Sequence, residues 1–186
     1  CIRDSSNKRV DLLLRSFARA FSGEENACLR ICGDGALRGE LESLAEGLGI
    51  RKTVHFLGHR SHPEVLNEMD RAHVVAVASD IETFGVVLIE SFARGRPVVS
   101  TRCGGPEEIV NPQNGILVDR GDIEGMAEAM KMIVSDYANF NCVNIRRACV
   151  LEYGSQTFVN RMGAIYKKAL DRDMRDTQLE FQALSA

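Results

Sequence analysis

The feature that most constrains the fold of this chain is a regular alternation of two patterns, one with helical spacing and one with short apolar runs. Residues 10–21 place Val10 and Phe17 on one helical face. The next apolar run, residues 27–32, is too short for a stable helix and ends at Gly33, which is typical of a strand. The same pair of patterns recurs along the chain, and this recurrence predicts βαβ units with a parallel sheet.

The predicted strands are short, and the predicted helices lie between them. Strands are expected at residues 27–32, 53–57, 73–78, 97–101 and 115–118, and helices at residues 10–21, 36–48, 62–71, 84–94, 106–110 and 122–137, with more helix from residue 143 onward. Because crossovers between parallel strands are right-handed, we expect an α/β, Rossmann-like, doubly wound parallel sheet. Ligands of such sheets bind beyond the carboxyl ends of the strands, so the loops after the strands are the candidate sites.

The length and composition fit one globular domain and exclude several classes of protein. The 186 residues carry a formal net charge of -3 and no Trp, which argues against a nucleic-acid partner. The six cysteines form no CxxC pair, so we expect reduced thiols. With no apolar run long enough to cross a bilayer and no visible signal peptide, we expect a cytoplasmic protein, with peripheral membrane association left open.

The organisation of the chain is typical of one domain taken from a longer protein. A helical pattern begins almost directly after Cys1, unlike an ordinary N-terminus, so a further domain is expected upstream. We expect residues 1–170 to form one ligand-binding domain. Residues 171–186 are highly charged at first and are expected to form a C-terminal helix or tail.

The most informative segment is residues 79–90, which follows a predicted strand and opens a predicted helix. Glu90 is the only charged residue between Phe84 and Ala93, in a helix that is apolar nearly all round and therefore expected to be deeply buried. A lone carboxylate there is costly unless it meets a partner or a ligand. Glu82 precedes the helix on the ligand-facing loop, where the helix N-terminus offers N–H groups to a phosphate. Taken singly, Glu82 fits a solvated loop acid and Glu90 a buried ion pair, but together they favour a functional site.

The spacing Glu82-x7-Glu90 is followed by Ala-Arg-Gly-Arg-Pro-Val-Val at residues 93–99 and by Gly-Gly-Pro-Glu-Glu at residues 104–108. In this order the segments resemble the signature of the retaining GT-B glycosyltransferases of group 1, also called family 4. Further strands and turns of that family are matched by residues 29–35, 53–58 and 114–118. The resemblance therefore covers nearly the whole chain.

The resemblance implies a role for each matching residue around a nucleotide-sugar donor. Glu82 would lie against the transferred sugar, and Glu90 would hold the ribose hydroxyls, since a carboxylate can accept from both hydroxyls of a diol. Backbone groups near Glu82 and in the glycine turns would contact the sugar, the phosphates and the nucleobase, although an ordinary turn remains an alternative for the glycine pair. These donor-contacting residues are Thr83, Phe84, Gly85, Val86, Gly33, Gly58, His59, Arg60, Gly104 and Gly105.

The family also carries a basic pair near the start of this domain, with the spacing R-x4-K, and Arg3 and Lys8 match it. These two cations would neutralise the diphosphate and the charge that develops on it as the glycosidic bond breaks. The sequence departs from the family pattern at two positions, because Arg9 replaces the usual glycine and Ile2 stands where glycine is common. A pair of solvated surface cations is the alternative interpretation.

Two other kinds of ligand are less well supported by the sequence. Residues 33–39 fit a weak dinucleotide fingerprint, but no acid follows at the end of the next predicted strand, which favours the glycosyltransferase turn. His59 and His62 lack a third ligand nearby and fit surface residues better than a metal site. No DxD pair of the kind that holds a metal-bound diphosphate is apparent, so the family implication is a metal-independent reaction that needs no cofactor.

Taken together, the resemblance implies the donor-binding half of a retaining glycosyltransferase of the hexosyltransferase type, which binds a UDP-, GDP- or ADP-sugar. The acceptor, whether a glycan, a lipid-linked molecule or a small molecule, would bind a missing N-terminal domain. The isolated chain is therefore expected to be inactive or nearly so. A non-catalytic nucleotide-sugar-binding module and a sugar-nucleotide 2-epimerase of the same architecture remain open as alternatives.

Overall fold

The computed structural model describes the backbone of residues 6–184 and the side chains of residues 7–170. The chain divides into a first unit of residues 1–147 and a second unit of residues 148–186. All of the strands described lie in the first unit. That unit also contains the loops in which the sequence predicts a site.

Strands and helices alternate through the first unit. The strands are β1 (Leu29–Cys32), β2 (Val54–Gly58), β3 (Val75–Val77), β4 (Val98–Thr101) and β5 (Gly115–Val118). The helices are α1 (Val10–Phe21), α2 (Arg38–Gly47), α3 (His62–Arg71), α4 (Val86–Ala93), α5 (Gly105–Ile109) and α6 (Ile123–Ser135), with single 3₁₀ turns at Ser6–Lys8 and Tyr137–Asn139. Helix α7 (Cys142–Tyr153) begins in this unit, and α8 (Ser155–Leu184) belongs to the second.

The strands pair in parallel throughout, which confirms the predicted α/β, Rossmann-like class. Val54 of β2 lies opposite Leu29 of β1. In the second ladder, Val98 of β4 lies between Val75 of β3 and Gly115 of β5. Among the described residues no pairing joins β1 to β3, so the strands form two ladders, β1-β2 and β3-β4-β5, instead of one continuous sheet.

One apolar core underlies both ladders. Its buried members come mainly from α1, α2, α6 and strands β1, β2, β4 and β5, and Ala76 of β3 packs against them. The best-buried large side chains include Leu12, Leu14, Val54, Val99, Met126 and Ile133. Helix α1 packs most extensively on α6. The apolar residues of α1 recur at helical spacing, so one face of the helix is buried while Arg15 and Arg19 face solvent. This core fixes the strands whose carboxyl ends carry the candidate site.

Helix α4 differs from the sequence prediction in its start and in its burial. It begins at Val86 and not at Phe84, because Gly85 adopts a left-handed conformation with φ of 84° at the N-cap. The prediction that the helix is deeply buried nearly all round is wrong, since Val86 is 57% exposed. Only Leu88, Ser91 and Phe92 are buried in α4. The helix therefore packs on one face and presents an apolar first turn beside the candidate site.

The second unit is helical where it is described. Gly154 lies between α7 and α8, and a side chain there would collide with the carbonyl of Val150. Glycine therefore permits the close passage from one helix to the next. In the described part of the chain, no helix combines the length and the apolar character that crossing a membrane requires.

Candidate functional site

The loop after β3 is held in place by the loop after β4. The Glu82 amide donates to the carbonyl of Cys103 at 3.1 Å, and the Gly105 amide donates to the carbonyl of Glu82 at 2.7 Å. Thr101, at the end of β4, donates through Oγ1 to the carbonyl of Ser79, and both residues are fully buried. The backbone of Glu82 is therefore fixed at the carboxyl edge of the strands, although its side chain lies in a loop.

The glycine pair predicted to approach a ligand approaches the protein's own backbone. A Cβ on Gly105 would lie 2.6 Å from the Cα of Phe84, well inside normal contact. Gly104 has a φ of 109°, where side chains are strained, and a Cβ there would lie 3.0 Å from the Glu82 carbonyl oxygen. The pair allows the two loops to touch, which positions both Glu82 and Phe84.

Lys8 and Glu82, which are far apart in sequence, form an ion pair at this edge. Lys8 Nζ donates to Glu82 Oε2 at 2.7 Å, and the two side chains are 30% and 18% exposed. The loop before α1 is anchored there because the Asp80 amide donates to the Asn7 carbonyl at 2.8 Å. Partly exposed ion pairs stabilise a fold by about 0–1 kcal/mol. The Lys8–Glu82 pair therefore adds little to the stability of the fold, but it places one positive and one negative side chain together at this edge.

Arg9, which stands where the resembling family has glycine, adopts the backbone conformation that glycine favours. It lies at the N-cap of α1 with φ of 46°, and among the described residues other than glycine it alone has a positive φ. Its guanidinium donates to Asp11 at 3.1 Å and contacts Asp80 at 3.4 Å. Burial tends to raise the pKa of Asp11, but the hydrogen bond and charge of Arg9 outweigh burial and hold that pKa below its usual value.

Glu90 meets a partner that the sequence analysis did not connect to it. The Nε2 atom of His62 lies 2.8 Å from Oε1 of Glu90, and the Glu90 side chain is 28% exposed. Glu90 is therefore not the deeply buried lone carboxylate that was expected. His62, interpreted from sequence as a plain surface residue, contacts a candidate site residue. No local pattern could have revealed a contact between residues 28 positions apart.

The start of α3 fixes the position of His62. The Ser61 amide donates to Glu64 Oε2 at 2.8 Å, and the Ser61 hydroxyl donates to the same oxygen at 2.7 Å. These bonds, the Ser61 hydroxyl first, hold the pKa of Glu64 below its usual value. Pro63 follows His62 in the first turn, where proline is well tolerated. His62 is therefore the first helical residue of a well-defined N-terminus.

The turns after β1 and β2 also meet. The Gly33 amide donates to the Gly58 carbonyl at 2.8 Å, and both glycines have positive φ values, 131° and 69°. His59 and Arg60, which follow Gly58, are exposed. The structure thus brings Gly33 and Gly58 together and leaves the next two predicted residues open to solvent.

Several candidate residues keep an exposed surface beside Glu82. Phe84 is 52% exposed, and Thr83 is also exposed. Gly85 is buried, and a Cβ on it would lie 3.3 Å from Ile109 Cδ1. Arg3, the first cation of the predicted basic pair, lies outside the described residues.

One cavity of the first unit lies apart from the loop around Glu82. It has a volume of about 490 Å³ and lies between the start of α1, the turn after β1 and α2. Its lining includes Arg9, Gly33, Asp34, Arg38, Leu41 and Phe56, but not Lys8, Glu82 or Glu90. Of the candidate donor-contacting residues, Gly33 is the one in its lining. The loop around Glu82 and the part of α4 that carries Glu90 are therefore not part of the wall of this cavity.

Metal ligation has no obvious basis in the described part of the chain. Within residues 7–170 there is no group of three or more His, Cys, Asp or Glu side chains that could hold a metal ion. In the candidate site, His62 and Glu90 form a contact between two side chains of types that bind metals, which is fewer than the three such a group requires. Cation chemistry at the edge is supplied by Lys8 and the neighbouring Arg9.

Comparison with protein families gives a match over most of the chain. Residues 2–149 match the family model described as Glycosyl transferases group 1. An exopolysaccharide phosphotransferase of Streptomyces coelicolor is 37% identical over 71% of this chain, which spans only 14% of that relative. The lipopolysaccharide core biosynthesis glycosyltransferase LpsE of Rhizobium meliloti is 37% identical over 72% of the chain, which spans 37% of the relative.

Solved structures share the fold. The Anabaena protein HepE, whose crystal structure contains UDP and glucose, superposes with a TM-score of 0.79 at 23% identity. The superposition covers 90% of this chain and 47% of HepE. At that identity the likeness establishes the α/β architecture, and the chain spans about half of its structural neighbour.

Proposed function

Since this chain belongs to the glycosyl transferases of group 1, we propose that it is the donor-binding half of a retaining GT-B glycosyltransferase of family 4. It would hold a UDP-, GDP- or ADP-sugar at the carboxyl edge of its strands. The observation that carries this proposal is the contact of Lys8 with Glu82 at 2.7 Å, next to the N-terminus of α4. In this proposal Lys8 would bind the phosphates and Glu82 would bind the sugar, so the contact would place the two subsites side by side.

The Lys8–Glu82 pair suits the task of binding a diphosphate. A diphosphate presents more negative charge to Lys8 than one carboxylate does, so a donor would recruit the ammonium group. Glu82 would then accept hydrogen bonds from hydroxyls of the sugar and face the positive charge that develops at the anomeric carbon. The loop contacts of Glu82 with Cys103 and Gly105 would keep the carboxylate in place while its partner changes.

The N-terminus of α4 is a second source of positive potential. Among the described side chains none caps it, and Gly85 occupies the N-cap position with φ of 84°. Amides of the first turn, including that of Val86, would donate to oxygens of the distal phosphate or the sugar. Thr83 and Phe84 lead into this turn and would line the sugar subsite. Support comes from the closeness of this turn to the Lys8–Glu82 pair.

The remaining candidate residues would hold the nucleoside. Glu90 lies one turn further along α4 and would accept hydrogen bonds from the ribose diol. Gly58, His59 and Arg60, before α3, would face the nucleobase through main-chain groups. The other residues proposed to shape the donor site are Gly33, Gly104, Gly105 and Arg3.

The proposed reaction exchanges one glycosidic bond for another on the same face of the sugar. The bond from the anomeric carbon to the diphosphate oxygen breaks, and Lys8 with the α4 N-terminus stabilises the charge left on the diphosphate. The leaving diphosphate takes the proton of the acceptor hydroxyl, whose oxygen bonds to the anomeric carbon. We propose that residues 1–170 bind the donor without a metal and that an upstream domain binds the acceptor.

Calorimetric titration of the chain with UDP, GDP, ADP and their glucose conjugates tests the proposal. One nucleotide should bind selectively, and both Lys8→Ala and Glu90→Ala should weaken it about tenfold or more, as expected for charge-assisted hydrogen bonds. Matched controls are Lys52→Ala and Glu128→Ala, which remove exposed residues elsewhere in the first unit. Failure of every nucleotide to bind, or equal effects of site and control variants, would contradict the proposal.

A further inference from the structure

We propose that His62 is a positioning residue for ribose recognition, which acts by orienting the carboxylate of Glu90. The inference rests on the proposed function, because Glu90 is taken to receive the ribose diol. It adds a residue that lies on α3 and outside the loop after β3. His62 would make the donor site selective for ribose over 2′-deoxyribose.

The chemistry of a carboxylate decides which group donates in this contact. The Nε2 atom of His62 lies 2.8 Å from Oε1 of Glu90. An ionised carboxylate can only accept hydrogen bonds, so the imidazole must donate through Nε2–H. Each carboxylate oxygen has two lone pairs, which leaves Oε2 and one lone pair of Oε1 for hydroxyl groups.

This contact restricts a side chain that would otherwise rotate. The terminal torsion of glutamate is broad and roughly two-fold, so an unrestrained carboxylate samples many orientations. A hydrogen bond from His62 selects one orientation before the ligand binds. Pre-organisation of this kind raises affinity by reducing the ordering cost of binding.

The contact is not a by-product of burial. The His62 side chain is 65% exposed, so nothing in the core forces the ring against Glu90. Its position follows from the N-terminus of α3, where Ser61 and Glu64 fix the first turn. The neighbouring cation, Arg60, contacts Glu64 at 3.4 Å on the same turn and does not pair with Glu90.

A second polar contact between α3 and α4 offers a matched control. Arg94 Nη1 lies 3.1 Å from Asp70 Oδ2, near the ends of the two helices. Asp70→Asn weakens this tie and leaves His62 and Glu90 unchanged. If His62 merely fastened α3 to α4, loss of either contact would have similar consequences for binding. If it orients Glu90, only the change at His62 alters recognition of the ribose.

The test measures the affinity ratio between a ribonucleotide and its deoxy counterpart. UDP, GDP and ADP are each titrated beside the matching 2′-deoxynucleoside diphosphate, with the full chain and with four variants, His62→Ala, His62→Gln, Asp70→Asn and Glu90→Ala. His62→Ala should reduce the preference for ribose about three- to tenfold, the usual range for one net hydrogen bond. His62→Gln keeps an N–H donor at a similar reach and should restore most of the preference, and Asp70→Asn should leave it unchanged.

The possible failures are distinguishable. If the unaltered chain prefers ribose, and Glu90→Ala removes that preference while His62→Ala does not, the role of His62 is refuted and the donor site stands. A loss of preference in Asp70→Asn equal to that in His62→Ala would also refute it, because the effect would then be structural. If no diphosphate binds the unaltered chain, the proposed function fails and the inference falls with it.

Discussion

Replacing Gly105 by alanine should destabilise the fold at the point where two site loops touch. The new Cβ would lie 2.6 Å from both the Cα and the carbonyl carbon of Phe84. Carbon atoms normally pack at about 3.5–4.0 Å, so one loop must move by about 1 Å. That movement would strain the 2.7 Å hydrogen bond from the Gly105 amide to the Glu82 carbonyl.

The expected loss in free energy of unfolding follows from these two effects. Overpacking costs about 1–3 kcal/mol, and loss of a hydrogen bond costs about 0.5–1.5 kcal/mol. The stability of Gly105→Ala should therefore fall by about 2–4 kcal/mol. Because Glu82 lies on the displaced loop, nucleotide-sugar affinity should fall as well, even under conditions where the variant is fully folded.

Urea denaturation followed by circular dichroism measures the stability change, and calorimetry measures binding at low denaturant. Gly39→Ala is the matched control, since a Cβ on Gly39 meets no atom within 4 Å and the residue lies in α2. That variant should be unchanged or more stable by about 0.5–1 kcal/mol, the helix preference of alanine over glycine. If Gly105→Ala were as stable as Gly39→Ala, the close contact between the loops would not exist and the reasoning would be wrong.

Three further perturbations test other parts of the account. Arg9→Gly should be more stable than Arg9→Ala by about 0.5–1 kcal/mol in urea denaturation, because both lose the guanidinium and only glycine adopts the φ of 46° without strain; equal stability would contradict this. Lys8→Ala should weaken binding of a nucleoside diphosphate about tenfold but leave a nucleoside unaffected, by calorimetry, since only the phosphates meet the ammonium. The hydrogen bond from Arg30 holds the pKa of Glu68 below its usual value, because it outweighs burial, which raises that pKa. The Arg30–Glu68 pair should therefore contribute about 1 kcal/mol of stability above the pKa of Glu68 in the unfolded chain, and this contribution is lost as the pH falls through its lower pKa in the folded chain. A stability difference from Glu68→Gln that does not shrink as the pH is lowered below the unfolded pKa would refute it.

The sequence predicted the order and type of the helices and strands better than it predicted how deeply each is buried. Helix α1 was expected at residues 10–21 and strand β5 at residues 115–118, and both bounds are those of the structure. Local signals set these limits, because the apolar period begins at Val10 and residue 115 is a glycine. The strand expected at residues 73–78 is shorter, Val75–Val77, since residues 73, 74 and 78 do not pair with β4.

The contacts within the candidate site were less predictable than its residues. The resemblance identified Lys8, Glu82 and Glu90, but nothing in their spacing indicated that Lys8 would contact Glu82. The partner of Glu90 was missed because His62 lies on another helix and carries no pattern of its own. Such contacts depend on how α3 packs against α4, which is a property of the tertiary structure.

The sequence pattern also could not predict that the first turn of α4 is exposed. An apolar first turn predicts burial, yet Val86 and Phe84 remain exposed in the described structure. Periodicity reports how apolar a face is and not what covers it. The same limit applies to the two ladders, because strand patterns give the number of strands but not which edges pair.

The most direct test of the donor-site account is mapping of nucleotide-sugar binding by backbone amide NMR. The chain, labelled with ¹⁵N, is titrated with UDP-, GDP- and ADP-glucose, and the shifted amides are assigned. Saturable changes should centre on Lys8, residues 82–86 and Glu90, with smaller changes at Gly58 and His59. The absence of saturable changes, or changes centred on the cavity beside Arg38 and Leu41, would contradict the account.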